Sequence, residues 1–593
     1  MAFTRNAPQR RPDAAPRIVR RWMISVTVAS LSLALQGCAG TGLFAGERSE
    51  APYGDYLAAR YAASVHETAA AQQYFARTLA IDPGNEIVLE RAFLAALTGG
   101  DMERALEFAH ELVKKKPDHR MARLVLSLAD IRKGDYKGAQ EEIGSAEAGP
   151  FVALVGALAQ AWAAAGDGDR ELALSRLKAF EGKSAFDLFR AYHKALILDM
   201  LGDAAGAEEA YREAMDSSGG ASIRIVEAYA SFLQRRDRPD EARAVLDQYE
   251  ALSPEHPLVK DALSRLARTG KLAPLVSNAS EGIAEALYGL GSALAQDASG
   301  NDLAALYLQL AIYMRPHFDV AHTLLADSYE QKKRWADAIA AYAAVGKDSP
   351  LYGNARIQTA LDLGKLDRDD EAVKVLRQMS ADDPAALDPV IALGDIYRGK
   401  EKYAEAAAEY TRAITLAGKP ESARWSLYYA RGICNERLGH WSLAEQDLKL
   451  ALKLSDEHPL VLNYLGYSWI EQGRNFDEAM AMIEKAVALR PGDGFIVDSL
   501  GWAHYRLGDY GKAAETLEHA VELEPGDPTI NEHLGDALWK VGRRIEARFQ
   551  WSHALDMKPE KDRIELLRAK LEFGLEIAES EAARRKAGDA HGS

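Results

Sequence analysis

Cysteine is nearly missing from this chain of 593 residues: only Cys38 and Cys434 occur. A disulfide framework is therefore excluded. Basic residues are also in deficit, 72 against 88 acidic ones, for a net charge of −16. Residues 1–37 hold six of the arginines, and without that stretch 66 basic and 87 acidic residues remain, a net of −21. Affinity for nucleic acid rests on clustered Lys and Arg, so the charge balance argues against a nucleic-acid partner. The phosphate-cradling pattern Gly-x-x-x-x-Gly-Lys-Ser/Thr is absent. His504, His519, His533 and His553 lie near one another in sequence but lack metal-ligand spacing, and they read as solvated surface histidines. No metal site and no cofactor is expected.

What the chain does have is a beat. Alanine recurs at Ala71, Ala105, Ala139, Ala173, Ala207 and Ala242, then at Ala304, Ala338, Ala372, Ala406, Ala444, Ala479, Ala513 and Ala547. Most steps are 34 residues, and the jump from 242 to 304 is 62. A period in this range marks stacked helical hairpins, each burying its apolar face against its neighbours. Such a chain needs no single large core, and it offers a long surface in place of a reactive cleft. No stretch outside the repeats is long enough for a catalytic domain, so the chain is read as a non-enzyme.

The N-terminus has the organisation of a secretory signal. Arg5, Arg10, Arg11, Arg17, Arg20 and Arg21 form a basic region, and Trp22 to Leu35 is an uncharged, mostly apolar run of 14 residues. That run is too short to span a bilayer. It ends in Leu35-Gln36-Gly37-Cys38, which resembles a bacterial lipobox; the resemblance implies cleavage before Cys38 and acylation of its thiol. Residues 1–37 are thus the signal peptide, and 38–52 are the lipidated cysteine and a flexible tether. Ala39 in place of aspartate is similar to lipoproteins sorted to the outer membrane. With Cys38 used, Cys434 reads as a small core residue.

The spacing predicts an all-α fold: an α-solenoid of about 14 helical hairpins in two lobes. Residues 53–252 form a degenerate N-terminal lobe of about six repeats. Pro254, Pro257, Gly270 and Pro274 interrupt the beat and make 253–280 an irregular joint. Residues 281–559 form the C-terminal lobe of about eight repeats. Ile564, Leu567, Leu571, Leu575 and Ala578 share one face, so 560–578 is expected as a single capping helix. Residues 579–593 are expected as a polar, disordered tail. Trp335, Tyr403, Trp441 and Tyr510 open second helices and are expected to pack within their hairpins.

The unit Gly494 to Pro525, with Leu500-Gly501, Ala513, Ala520 and Pro525, and its successor with Leu534-Gly535, Ala547, Ala554 and Pro559, resemble the tetratricopeptide repeat. Each residue type has a mechanical reason: small residues let helices approach, and proline ends the second helix. That resemblance implies a concave groove lined by first helices at fixed positions of the unit. The fifth position gives Tyr429, Asn463, Asp498 and Glu532; the ninth gives Ile433, Tyr467, Trp502 and Asp536. The twelfth gives Glu436, Ile470, Tyr505 and Trp539, and the thirteenth Arg437, Glu471, Arg506 and Lys540. From these, Tyr429, Asn463, Tyr467, Asp498, Trp502, Tyr505, Arg506, Glu532, Asp536 and Trp539 form the expected partner-binding strip, with its aromatics as anchors. Its acids are expected to repel a carboxylate-ended peptide.

Within the repeat family, the run Tyr464-Leu465-Gly466-Tyr467, Asp498-Ser499-Leu500-Gly501-Trp502 and His533-Leu534-Gly535-Asp536-Ala537-Leu538-Trp539 resembles proteobacterial outer-membrane tetratricopeptide lipoproteins of the LbcA adaptor type. The resemblance implies envelope protein partners, a carboxyl-terminal processing protease among them, with cell-wall hydrolases as its substrates. It also implies attachment to the membrane through a lipid anchor. The alternative is an assembly factor for a secretion, pilus or polysaccharide export machine of the envelope.

Overall fold

The computed structural model describes residues 53–65, 67–144, 150–180, 186–220, 222–296 and 301–580. Cys38, the signal region and most of the expected tail lie outside these residues. Among the described residues every regular element is helical. Consecutive helices pair as antiparallel hairpins, from Tyr53–Ser64 with Thr68–Ile81 to Pro528–Lys540 with Arg544–Asp556. All fourteen alanines of the beat fall in second helices and are at most 1% exposed. That is why the beat exists: at each of these positions a side chain larger than methyl would push neighbouring helices apart.

Local signals in the sequence set the hairpin ends. Asp527 accepts from Thr529 N–H at 2.8 Å and from Ile530 N–H at 3.0 Å, and Pro528 supplies the first helical position. The extra residue near 475 is absorbed by Asn475 itself, which takes a left-handed conformation (φ 48) before Phe476–Leu489. In the first helices, small residues allow the second helix close. A Cβ added at Gly501 would lie 2.5 Å from Leu517 Cγ. Gly501→Leu should therefore cost about 1–3 kcal/mol through overpacking, read as a lowered denaturant midpoint in the full chain.

The chain divides into two compact units, at Val375 and Leu376. The expected joint, 253–280, lies inside the first of them. There Pro257–Thr269 is helical, and the chain runs irregularly to the cap residue Asn278. The division moves because the next hairpin, Ala279–Leu294 with Asn301–Met314, turns back onto the preceding repeats. We call it the inner hairpin. Ala279–Leu294 packs on the first helices Arg120–Lys133, Pro150–Gly166 and Asp187–Met200, and Asn301–Met314 reaches Glu86–Thr98. Along those repeats the inner face of this unit is thus filled by its own chain. Gly282 permits it, because a Cβ there would sit 2.3 Å from the ring of Trp162.

The inner hairpin is locked by buried charge. Glu285, whose side chain is fully buried, accepts from Arg224 Nε at 3.2 Å and from Arg224 Nη2, and Tyr192 Oη reaches it at 3.5 Å. Arg315 lies 3.6 Å away, and Arg224 also binds Glu227 at 2.7 Å. Beside it Trp162 donates its indole N–H to His193 Nδ1 at 3.3 Å. Burial holds His193 down to about 3, so it is a neutral acceptor.

The second unit ends differently from expectation. Residues 560–578 are not one helix: Lys561–Phe573 stops at Gly574, which has a φ of +86, and a further helical stretch covers 575–580. Glu579 thus lies in ordered helix where the polar tail was expected to begin. Leu567, on the first stretch, and Leu575 and Ala578, on the second, are buried.

Candidate protein-binding groove

The first helices Trp425–Arg437, Pro459–Glu471, Gly494–Arg506 and Pro528–Lys540 carry the expected strip, all within the second unit. The structure sorts its residues into three groups. Tyr429 belongs to an aromatic cluster with Trp425 at 5.9 Å and Tyr464 at 5.8 Å between ring centroids. Asn463 is half-buried nearby, and its carbonyl oxygen accepts no hydrogen bond among the described residues.

The second group is a stack. Trp502 lies flat between Tyr505, at 4.7 Å and 9°, and His533, at 4.0 Å and 16°. Its indole N–H donates to Glu471 at 2.6 Å, and Arg506 binds the same carboxylate oxygen at 2.6 Å. Glu471 and Arg506 remain exposed, and the rings of Tyr467, Trp502 and Tyr505 are half-buried. Burial pushes the Tyr467 and Tyr505 hydroxyls up, so both stay protonated donors. This is a preorganised aromatic ledge with a hydrogen-bonding rim, the composition found where binding energy concentrates.

The third group is closed. Asp498, Glu532 and Asp536 do not line an open surface: they are 7, 2 and 3% exposed. The helix Lys561–Phe573 takes the place of the next first helix and brings Lys570 between the acids. Its ammonium donates to Glu532 at 2.6 Å and to Asp536 at 2.8 and 2.7 Å. Arg563 adds bonds to Glu532 at 3.1 and 2.7 Å, and Trp551 donates to Asp536 at 2.8 Å. The expectation that these acids repel a carboxylate is therefore corrected; their charge is spent internally. Trp539 is closed as well. It packs on Trp551 at 5.3 Å, donates to Glu576 at 2.9 Å and meets Gly574. Ile470 is fully buried in the core and does not face the groove.

His533 was read as a solvated histidine and is instead 5% exposed, bonded through Nδ1 to Asp498 at 2.9 and 3.1 Å. Stacking on Trp502 buries it, and a single-sequence reading has no signal for that contact. Burial disfavours its cation, but Asp498, with Glu532 and Asp536 behind, outweighs burial and raises its pKa above 6.5. A raised histidine stabilises the fold fully below the ordinary value and loses that contribution as pH climbs through the raised one. Melting temperature should therefore fall as pH rises from about 6.5 into the alkaline range. His533→Gln should flatten that slope in a series of thermal melts.

Cys434 is buried, and burial pushes its thiol up to about 11, which leaves it an inert core residue. No group of three or more His, Cys, Asp or Glu side chains among the described residues has the geometry to hold a metal ion. No described helix is long and apolar enough to cross a membrane.

Two stretches match family models described as tetratricopeptide repeat, residues 391–432 and 498–527. The TPR repeat-containing protein PA4667 of Pseudomonas aeruginosa is 30% identical over 190 residues, 32% of each chain. The chain thus spans about a third of the length of the curated relative it matches. Among solved structures, the Cut9–Hcn1 hetero-tetramer of the APC/C aligns over 89% of this chain and 97% of that one, at 15% identity and a TM-score of 0.37. Yeast Tom70 aligns over 90 and 96%, at 13% identity and a TM-score of 0.35. Over residues 391–432 and 498–527 the chain is thus similar to the tetratricopeptide repeat.

Proposed function

We propose that this chain is a non-enzymatic protein-binding scaffold of the cell envelope, and that the Tyr467, Trp502 and Tyr505 ledge is its principal contact site. The observation that carries the reading is the Tyr505–Trp502–His533 stack, held flat by Glu471 and half open to solvent. An aromatic surface fixed in advance loses little entropy on binding and gives an anchor for a partner side chain. Repeats of this type supply contiguous surface and no reaction cavity, which supports an adaptor role.

In the fuller reading, Cys38 carries the lipid and tethers the scaffold to the periplasmic face of the outer membrane. The groove there recruits a carboxyl-terminal processing protease and brings its cell-wall hydrolase substrates alongside by raising their effective concentration. The lipobox-like Leu35-Gln36-Gly37-Cys38 and the C-terminal repeat block support this reading. The test is a crosslinked pull-down from envelope extract with the full chain. Recovered protein partners should be lost when Trp502→Ala and Tyr505→Ala are combined, an affinity loss of about 2 kcal/mol or more, while helicity survives. Equal recovery by the double variant removes the ledge from the account. Palmitate labelling that persists in Cys38→Ser removes the anchor.

A further inference from the structure

The face that the inner hairpin covers does not stop where that hairpin stops. Residues 34 apart share a repeat position, so Val125 and Leu128, both fully buried beneath the inner hairpin's reach, correspond to Arg91 and Leu94, and one repeat earlier to Leu57 and Arg60. There the face is uncovered. Tyr53, Leu57, Tyr61, Ile87 and Leu94 are 72, 62, 69, 63 and 40% exposed. Tyr53, Leu57 and Tyr61 follow one another at four-residue spacing along Tyr53–Ser64, a continuous stripe on one side of that helix. Single exposed apolar residues are ordinary, but five on the first helices of two adjacent repeats, with Tyr53 and Ile87 at the same repeat position, are not.

Where Glu86–Thr98 meets the inner hairpin the structure leaves an opening of about 230 Å³, lined by Ala63, Phe75, Leu94, Ala305, Arg91 and Arg334 among others. This is below the range of small-molecule pockets and fits one or two large side chains. Arg334 is held in place by bonds to Thr68 Oγ1 at 3.1 Å and Asp337 at 2.8 Å. Four acids of the region are already engaged: Asp55 with Arg77 at 3.5 Å, Glu86 and Glu90 with Lys116 at 3.6 and 3.7 Å, and Asp302 with Lys332. Arg60 and Arg91 are exposed and make no ion pair among the described residues. These two arginines give the face uncommitted positive charge.

We infer that this face seats an amphipathic helix from a protein partner, separate from the Trp502 ledge. The helix lies beside Asn301–Met314 as a further layer in the same groove. It places its apolar stripe on Tyr53, Leu57, Tyr61 and Ile87, one large apolar side chain in the opening beside Phe75 and Leu94, and a carboxylate at Arg91. Continuity argues for a helix, because the chain's own helices fill the same face three repeats further on. Charge argues for acidic flanks. A flat bilayer does not enter an opening between helices, and a two-fold contact between copies sets like patches together, here two arginine-bearing ones.

The probes are two fluorescent, end-capped 18-residue peptides with leucines at i, i+3, i+4 and i+7 and one central tryptophan. One is flanked by glutamates and the other by lysines. Binding to the full chain is read by anisotropy, alongside sedimentation velocity of the chain alone and flotation with phosphatidylethanolamine–phosphatidylglycerol vesicles. The glutamate peptide should bind about tenfold or more tighter than the lysine peptide. Leu57→Glu with Tyr61→Glu, both exposed positions, should remove that binding; Arg91→Glu should reverse the preference; Trp502→Ala should leave it intact. Failure of both peptides to bind, equal binding of the two, or loss in Trp502→Ala overturns the assignment. So does a dimer, or vesicle binding, that the Leu57 and Tyr61 changes abolish while peptide binding is unaltered; those results give the face to a second copy or to a lipid surface.

Discussion

Lys570→Ala should destabilise the second unit by about 3–5 kcal/mol, more than any substitution on the open groove. The lysine is 2% exposed and donates to two carboxylates that are 2 and 3% exposed. Truncating it leaves Glu532 and Asp536 side by side without their shared counter-charge, and Arg563 reaches only the first of them. Burial and Glu532 already raise the Asp536 pKa with the lysine present. Removing the lysine raises it further, so the variant's loss should be larger at pH 8 than at pH 5. Urea denaturation of the full chain at both pH values checks this. The unpaired acids, not lost contact area, are the cause, so Lys570→Met combined with Glu532→Met and Asp536→Leu should restore most of the stability.

Glu285→Ala should have a comparable effect in the first unit, again about 3–5 kcal/mol. Its carboxylate accepts from Arg224 and Tyr192 and pairs with Arg315 at 3.6 Å, at the place where Ala279–Leu294 lies against the repeats. Without it the buried Arg224 keeps only Glu227. Hydrogen exchange localises the result. Amides of 279–294 should exchange on the order of a thousandfold faster, because the inner hairpin must leave its seat before they open. Amides of Pro528–Lys540 should be unchanged. Uniform acceleration across the chain contradicts the assignment of Glu285 as a local lock.

Much of this architecture is legible in the sequence, and the reason is mechanical. Ala105, Ala338 or Ala513 sits at a contact that recurs with every hairpin, so the same steric demand writes the same residue each time. Gly501 and its equivalents obey the same rule. What repeats cannot reveal is where an element departs from its neighbours. Lys570 lies beyond the last repeat, and nothing in its local sequence marks it as a buried cation aimed at Glu532. The template places Glu532 and Asp536 in the groove, and geometrically they are there; a helix outside the pattern closes that part of it. The inner hairpin keeps its alanine, Ala304, 34 residues before Ala338, so beyond the 62-residue jump its beat looks regular although it occupies the inner face. Its one signal is Glu285, a lone acid in the apolar run Ile283-Ala284-Glu285-Ala286-Leu287-Tyr288. An acid in such a run demands a buried partner, and Arg224 meets the demand from 61 residues away.

Together these locks leave a defined remainder. In the second unit the closing helix takes Trp539 and the acids, and the ledge of Tyr467, Trp502 and Tyr505 remains. The claim that this ledge takes a protein partner is tested most directly by photo-crosslinking in envelope extract, with benzoylphenylalanine replacing Tyr467 in the full chain. Leu489, which is 53% exposed on a second helix, serves as the control position. The account predicts a discrete crosslinked protein from position 467 and none from 489. The same adducts from both positions, or from 489 alone, contradict it.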